Sequence, residues 1–195
     1  SYAKRLGCVI RQVARAELLP DGGEIRAAVQ LALVPDDSSL ARVDGTQNIV
    51  VVDGEFGGET AFSGFGAGGA PTAVAVVSDL LAIARGAPAR DDQVLQSRRR
   101  VVQQEFAAPH YIRFMILDRP GILAALAEVF SRHGVNVDAV WQEPGWSKAE
   151  LPFVMTLEKC GSASVTAALD EISRFDFHVR PPLWLPILTM GEARA

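Results

Sequence analysis

The sequence predicts an α+β chain in which a β-rich first half is followed by a ferredoxin-like βαββαβ unit. Three observations carry this. The first half sets extended apolar runs in pairs around turn signals, "PDGG" at 20–23 and "DGEFGG" at 53–58. The second half alternates short β-type runs with two helical periodicities in the order βαββαβ. Between them, residues 88–107 lose apolar density and gather charge and glutamine. The expected division is therefore 1–87, a linker at 88–107 and a second domain at 108–190.

Each element follows from local chemistry. Cys8–Leu18 and Glu24–Val34 read as strands, and "PDDSSLARVDG" (35–45) as a loop with one helical turn. Residues 46–64 read as a second strand pair. The run 72–85 is helical by composition and apolar on nearly all sides, which predicts a buried helix. Pro71 suits its first turn, Arg85 its last and Gly86 the position just past its end. The linker reads as the first site of proteolysis and as partly helical around 92–106. Beyond it come a strand at 111–117 and a helix at 120–133 with Ile122, Leu123, Leu126, Val129 and Phe130 on one face. Gly134 should stop that helix in the left-handed conformation. A strand at 135–142, a hairpin loop "EPGWSKAE" (143–150) and a strand at 151–158 come next. A helix at 162–174 follows, capped by Ser162 or Ser164. The last strand, 177–187, contains Pro181, Pro182 and Pro186, which consign it to an edge or make it irregular.

Bulk composition narrows the function classes. A net charge of −4 gives no reason to expect a phosphate-backbone partner, and the one basic run, Arg98–Arg100, reads as a solvated helix face. Cys8 and Cys160 are too few for a disulfide framework, and no His/Cys cluster has metal-ligand spacing. No apolar run approaches the roughly 20 residues of a membrane span, and no signal-peptide pattern opens the chain. These features predict a cytoplasmic protein with neither a nucleic-acid nor a membrane partner. Because "YAKRLGCVI" opens on the end of a helix running into a strand, the chain also reads as a piece of something longer.

A βαββαβ unit hosts many functions, so the site must decide. An RNA-recognition version needs a basic-aromatic signature on its third strand, whereas "LPFVMTLE" has one aromatic and no Arg or Lys. A redox or metal version needs paired cysteines, and Cys160 stands alone in this half. What remains is the turn "DRPG" (118–121). Helix-start amides lack intrahelical partners and carry partial positive charge, so a carboxylate fits there. Gly121 lets a ligand approach the backbone, Asp118 can accept from an ammonium, and Asn136 offers a donor and an acceptor. Together they match a zwitterion. The plainer alternative is that Asp118 only caps the helix and Asn136 is a surface residue.

"LDRPGILAALAEVFSRHGVNVDAV" resembles an ACT domain, the small-molecule regulatory module of amino-acid metabolism. D-x-P-G-x-L, the helix after it and G-V-N carry the resemblance, which covers about 108–190. It implies an amino acid bound between the first strand–helix loop of one copy and the second strand of a neighbour. Asp118, Pro120, Gly121, Ile122, Leu123 and Asn136 would surround it.

"VDGTQNIVVVDGEFGGETAFSGFGAGGAPTAVAVVSDLLAIAR" (43–85) is similar to the late part of the catalytic domain of homoserine dehydrogenase. The landmarks are V-x-G-x-x-N, G-E-T-x-F-x-G-x-G-A-G, P-T-A-x-A-V-x-S-D and I-A-R, and the likeness extends over roughly 2–86. In that family the glycine-rich loop touches the bound NAD(P), which implies cofactor contact at Gly68, with Gly66 and Ala67 beside it. A glycine-rich turn kept for packing is the alternative. The family's dinucleotide fingerprint, catalytic lysine and substrate-holding acids match nothing in this chain. The resemblance therefore implies the catalytic-plus-regulatory tail of a homoserine dehydrogenase, inactive alone and binding NAD(P) weakly at most. Its effector would be an amino acid, threonine first as the pathway's end product, and its assembly a homodimer or larger. The second function class is a stand-alone amino-acid sensor that keeps the dehydrogenase remnant as a dimerising platform.

Overall fold

A computed structural model describes residues 2–19, 24–86 and 101–189. Their order is α1 (Tyr2–Arg5), β1 (Cys8–Leu18), β2 (Glu24–Pro35), a 3-10 turn (Ser39–Arg42), β3 (Gln47–Gly54), β4 (Gly58–Phe65) and α2 (Gly69–Ala84). Then follow β5 (Val101–Gln103), β6 (Ala107–Ile116), α3 (Ile122–Arg132), β7 (Val137–Gln142), β8 (Leu151–Gly161), α4 (Ser162–Ile172) and β9 (His178–Pro186). The chain divides into two compact units, residues 1–36 with 101–195, and residues 37–100.

In the first unit, β6 to β9 form a four-stranded sheet ordered β7-β8-β6-β9, with helices α3 and α4 interleaved in sequence as βαββαβ. This is the ferredoxin-like order that the periodicity predicts. One face of the sheet meets both helices. Ile112, Phe114, Phe153, Met155 and Leu157 from the strands pack with Leu126, Val129, Phe130, Val165, Ala168 and Ile172. The helix spacing delivered its face correctly except at Leu123, which is 45% exposed. Gly134 takes φ +67 just past α3, as its helix-stop role requires. Proline-rich β9 is an edge strand, and its pairing with β6 breaks register twice, between Arg113 and Met115 and again at Ile116.

The other face of this sheet is covered by the first strand pair. β1 and β2 pair antiparallel from Cys8↔Pro35 to Leu18↔Ile25. At their open end, away from the turn that joins them, Cys8 and Leu33 pack with Tyr111, Val154 and Leu185 of the four-stranded sheet. Leu33 and Ile187 form a parallel bridge, and the Leu188 N–H donates to the Leu33 carbonyl at 2.7 Å. The hairpin thus folds with the C-terminal sheet. Within the segment read as a linker, residues 101–103 are strand β5, parallel to β2 (Glu24↔Val101), so the helical expectation fails for the part that is described. Three residues with β-branched side chains at two positions, beside an unpaired strand edge, favour extension over helix. The "PDGG" turn and Arg98–Arg100 lie outside the described residues.

The second unit holds the β3–β4 hairpin, with Gly58 at φ +65 in its turn, and α2. The 3-10 turn appears where one helical turn was expected, and the Ser38 side chain accepts from the Leu40 N–H. Helix α2 ends as anticipated, with Gly86 at φ +70. Its expected burial is wrong: none of its residues is buried, and Ile83 is 72% exposed. A two-stranded ribbon is too small to supply the second layer that an all-round apolar helix needs.

Candidate functional site

The turn from β6 into α3 is held from both sides by backbone. The Leu117 N–H donates to the Phe177 carbonyl at 2.8 Å, and the Asp118 N–H to the Lys148 carbonyl at 2.7 Å. Arg119 pairs with Asp176 at 3.1 Å. Asp118 is not the helix cap. That position belongs to Gly121, at φ +90 and ψ −10, and no side chain caps the helix. A proline at 120 biases Arg119 to extended backbone, so the helix cannot start before Gly121 has reversed the chain. The α4 cap is also a glycine, Gly161, here in extended backbone (φ −69, ψ +140) with no side-chain cap bond, so Ser162 is the first helical residue and neither Ser162 nor Ser164 is the cap.

The start of α3 therefore offers uncapped amides beside an exposed carboxylate. The first intrahelical bond runs from Ala125 N–H to the Gly121 carbonyl at 3.0 Å. The amides before it, on Ile122, Leu123 and Ala124, have no intrahelical partner by helix geometry. Asp118, Pro120, Gly121 and Leu123 are exposed while Ile122 is buried. Lys148, whose carbonyl fixes the turn, was missed by sequence reading. The only signal was the length of the 143–150 loop.

Asn136 lies just ahead of β7 rather than inside it, with its carbonyl accepting from the Glu158 N–H at 3.0 Å. The register then separates it from the turn. Val137 sits opposite Leu157, and Leu157 opposite His110, whereas the turn follows Ile116, which sits opposite Leu151. His110 and Ile116 are six residues apart on β6, roughly 20 Å at about 3.3 Å per residue. One copy of the chain brings Asp118 through Leu123 together and leaves Asn136 at the other end of the sheet.

In the second unit, Gly66 donates its N–H to the Thr46 carbonyl at 2.9 Å, and its Cα faces the Asn48 carboxamide so closely that no Cβ fits between them. Gly68 takes φ +130 and ψ +151 as the cap of α2, with no side-chain cap bond. Gly66, Ala67 and Gly68 therefore lie together on an exposed loop that runs into an uncapped helix start. Among the described residues, no group of three or more His, Cys, Asp or Glu side chains is placed to hold a metal, and no helix is long and apolar enough to cross a membrane.

Comparison with known proteins agrees with both halves. Residues 1–81 match the family model for homoserine dehydrogenase, and residues 110–177 the model for the ACT domain. A homoserine dehydrogenase of Synechocystis sp. is 33% identical over 190 residues, spanning 90% of this chain and 43% of that protein. One from Bacillus subtilis is 34% identical over 159 residues, 74% of this chain and 34% of its own length. A solved homoserine dehydrogenase from Thiobacillus denitrificans superposes with a TM-score of 0.81 at 26% identity, covering 97% of this chain and 44% of that one. The Staphylococcus aureus enzyme, at 18% identity and a TM-score of 0.61, shares the fold. The chain thus spans less than half the length of the relatives it matches, and it belongs to the homoserine dehydrogenase family as the C-terminal portion of that architecture, dehydrogenase-type residues followed by an ACT domain.

Proposed function

We propose that this chain is the catalytic-plus-regulatory tail of a homoserine dehydrogenase, and that its ACT domain senses an amino acid, threonine first. The observation that carries the reading is the start of α3: uncapped amides, a left-handed glycine and a free-facing carboxylate in one turn. A ligand carboxylate suits the amides and a ligand ammonium suits Asp118. Asn136 completes the site from a second copy. Pairing β7 with its own two-fold mate, antiparallel, would bring the mate's residue 136 toward the end of the sheet where Asp118 lies. The exposed side chains of Val140 and Trp141 on β7 suit such an interface.

In the whole enzyme the reaction would be NAD(P)-dependent oxidation of homoserine to aspartate semialdehyde. Gly66, Ala67 and Gly68 fit one edge of that cofactor, because a side-chain-free loop at an uncapped helix start can lay its amides against a polar group of the ligand. When bound, the cofactor accepts the hydride; this loop would only position it. The setting we propose is cytoplasmic, where Cys8 and Cys160 would stay reduced.

Isothermal titration of the purified chain against the twenty amino acids tests the reading. Saturable heat with threonine or another small amino acid is expected. Silence across all of them at millimolar ligand would remove the effector site.

A further inference from the structure

The loop between β7 and β8 touches both halves of the chain's chemistry. On one side, the Lys148 carbonyl holds the Asp118 N–H at 2.7 Å, so the loop is bonded directly to the turn assigned above to the effector. On the other side, Glu143 pairs with Arg5 of α1 at 3.0 Å. The Tyr2 phenol donates to the Pro152 carbonyl at 3.4 Å, just past the loop, and also hydrogen-bonds the Glu143 backbone. Burial, then the Glu143 carboxylate, pushes that phenol above its ordinary pKa, as expected for a neutral hydroxyl held against this loop.

From α1 the contacts continue into the dehydrogenase-type segment. The Asp36 N–H donates to the Gly7 carbonyl at 2.8 Å, tying the end of α1 to the point where β2 leaves the unit. Cys8, one residue further, is buried against Tyr111 and Val154. The path from Asp118 to Asp36 is therefore continuous: turn, Lys148, loop, Glu143, Arg5 and Tyr2, Gly7, Asp36.

Each link alone is weak. The Arg5 side chain is 67% exposed, and water screens an ion pair so placed. The loop is nonetheless clasped at both ends, and "EPGWSKAE" puts a proline and a glycine at φ +92 (Gly145) between the clasps. Proline fixes its own φ, and this glycine conformation is one that other residues rarely adopt, so displacement at one end is poorly absorbed inside the loop.

We propose that residues 143–150 are a coupling arm. Occupancy of the turn at the start of α3 shifts the Asp118–Lys148 bond, and Glu143 passes the shift to Arg5, Tyr2 and the dehydrogenase-type segment beyond them. This rests on the effector reading and names how that site would regulate. Coupling of this kind is a free energy shared between two sites, so it is measurable from either end.

Hydrogen exchange of the full chain, with and without threonine at a concentration that titration shows to be saturating, is the test. The expected result is at least threefold slower exchange at Leu6–Cys8 and Asp36, reduced to less than half that effect in Glu143→Gln and again in Tyr2→Phe. Both variants alter surface or half-buried groups and should fold, which their far-UV circular dichroism checks. Threonine that binds by titration yet leaves exchange at these amides unchanged would overturn the arm and leave the effector site standing. An effect that persists in full in both variants would also overturn it. No binding of any amino acid would overturn the effector reading and the arm together.

Discussion

The Trp184 indole N–H donates to Nδ1 of His110 at 3.1 Å, and Nε2 of the same ring meets the Cys160 carbonyl at 3.2 Å. With Nδ1 accepting, Nε2 must carry the proton, so both partners are satisfied by one neutral tautomer. Burial lowers the His110 pKa, outweighing the opposing effect of the Cys160 carbonyl, and the residue is 1% exposed. A second proton would have to displace the Trp184 hydrogen bond.

A pH dependence follows. The folded state binds a proton at His110 less readily than the unfolded chain does, so the unfolded state carries more protons as the pH falls below about 6.5. The stability contribution is complete above that value and is lost as the pH drops toward the lowered folded-state pKa. Thermal melts at pH 7.5 and 5.5 should show wild-type protein losing stability, while His110→Gln shows a smaller loss across the same interval. Equal losses in the two proteins would remove His110 as the cause. Glu171, lowered by hydrogen bonds from His133 and then Arg132, contributes in the opposite chemical sense but the same direction. Its share is present above about 4.5 and is lost only in more acidic solution.

Gly66 and Gly68 are constrained for different reasons, which mutation can separate. At Gly66 a Cβ would overlap the Asn48 carboxamide, whereas at Gly68 the backbone itself, at φ +130, excludes an L side chain. Gly66→Ala should cost about 1 kcal/mol and Gly68→Ala about 1–3 kcal/mol. Adding Asn48→Ala should restore most of the first loss and none of the second. Denaturant unfolding of the four variants measures this. Equal rescue of both glycine variants would show that the loop does not have the described conformation.

The sequence carried those features whose causes are local. Residues 122, 126, 129 and 130 repeat at helical spacing because they face one sheet, and Gly134 stops the helix whatever lies beyond it. Three prolines marked β9 as an edge. Capping by Asp118, the plainer alternative in the sequence, fails because Asp118 is a good cap only in isolation, and Pro120 with Gly121 defers the helix start. Burial of α2 was misjudged because composition reports the appetite for a cover and not its presence. The docking of Cys8 and Leu33 onto Tyr111 and Val154 was illegible, since no local pattern relates strands about a hundred residues apart. For the site, the turn residues were readable, but the separation of Asn136 emerged only from register.

That separation gives a test of the two-copy site. Asp118→Ala and Asn136→Ala should each weaken amino-acid binding at least tenfold, about 1.4 kcal/mol. If the site takes Asp118 from one copy and Asn136 from another, the two variants complement each other. A mixed dimer holds one site with both native residues and one with neither. Co-refolding equal amounts should thus return tight binding to roughly a quarter of all sites under random pairing. Titration that finds no recovery would remove Asn136 from the site that holds Asp118.

The last prediction concerns assembly. In the β1–β2 hairpin, directly opposed residues share a face, so Gln12↔Leu31, Ala14↔Val29, Ala16↔Ala27 and Leu18↔Ile25 all lie on one side, with Val102 of β5 beside Ile25. That face contains no charged residue. Leu18, Val29, Leu31 and Val102 are each more than half exposed, with Val29 at 67%. The opposite side carries Arg11, Arg15, Glu17 and Arg26. An uncharged apolar sheet face of this extent is unusual on an isolated protein and suits a two-fold partner, adding to the edge of β7 that the effector site would use. Light scattering at micromolar concentration should give at least twice the 20.9 kDa chain mass. Val29→Lys with Leu31→Glu should lower that mass without unfolding the chain, because both side chains are already exposed. Wild-type protein that scatters as a monomer would reject this interface and with it the shared effector site.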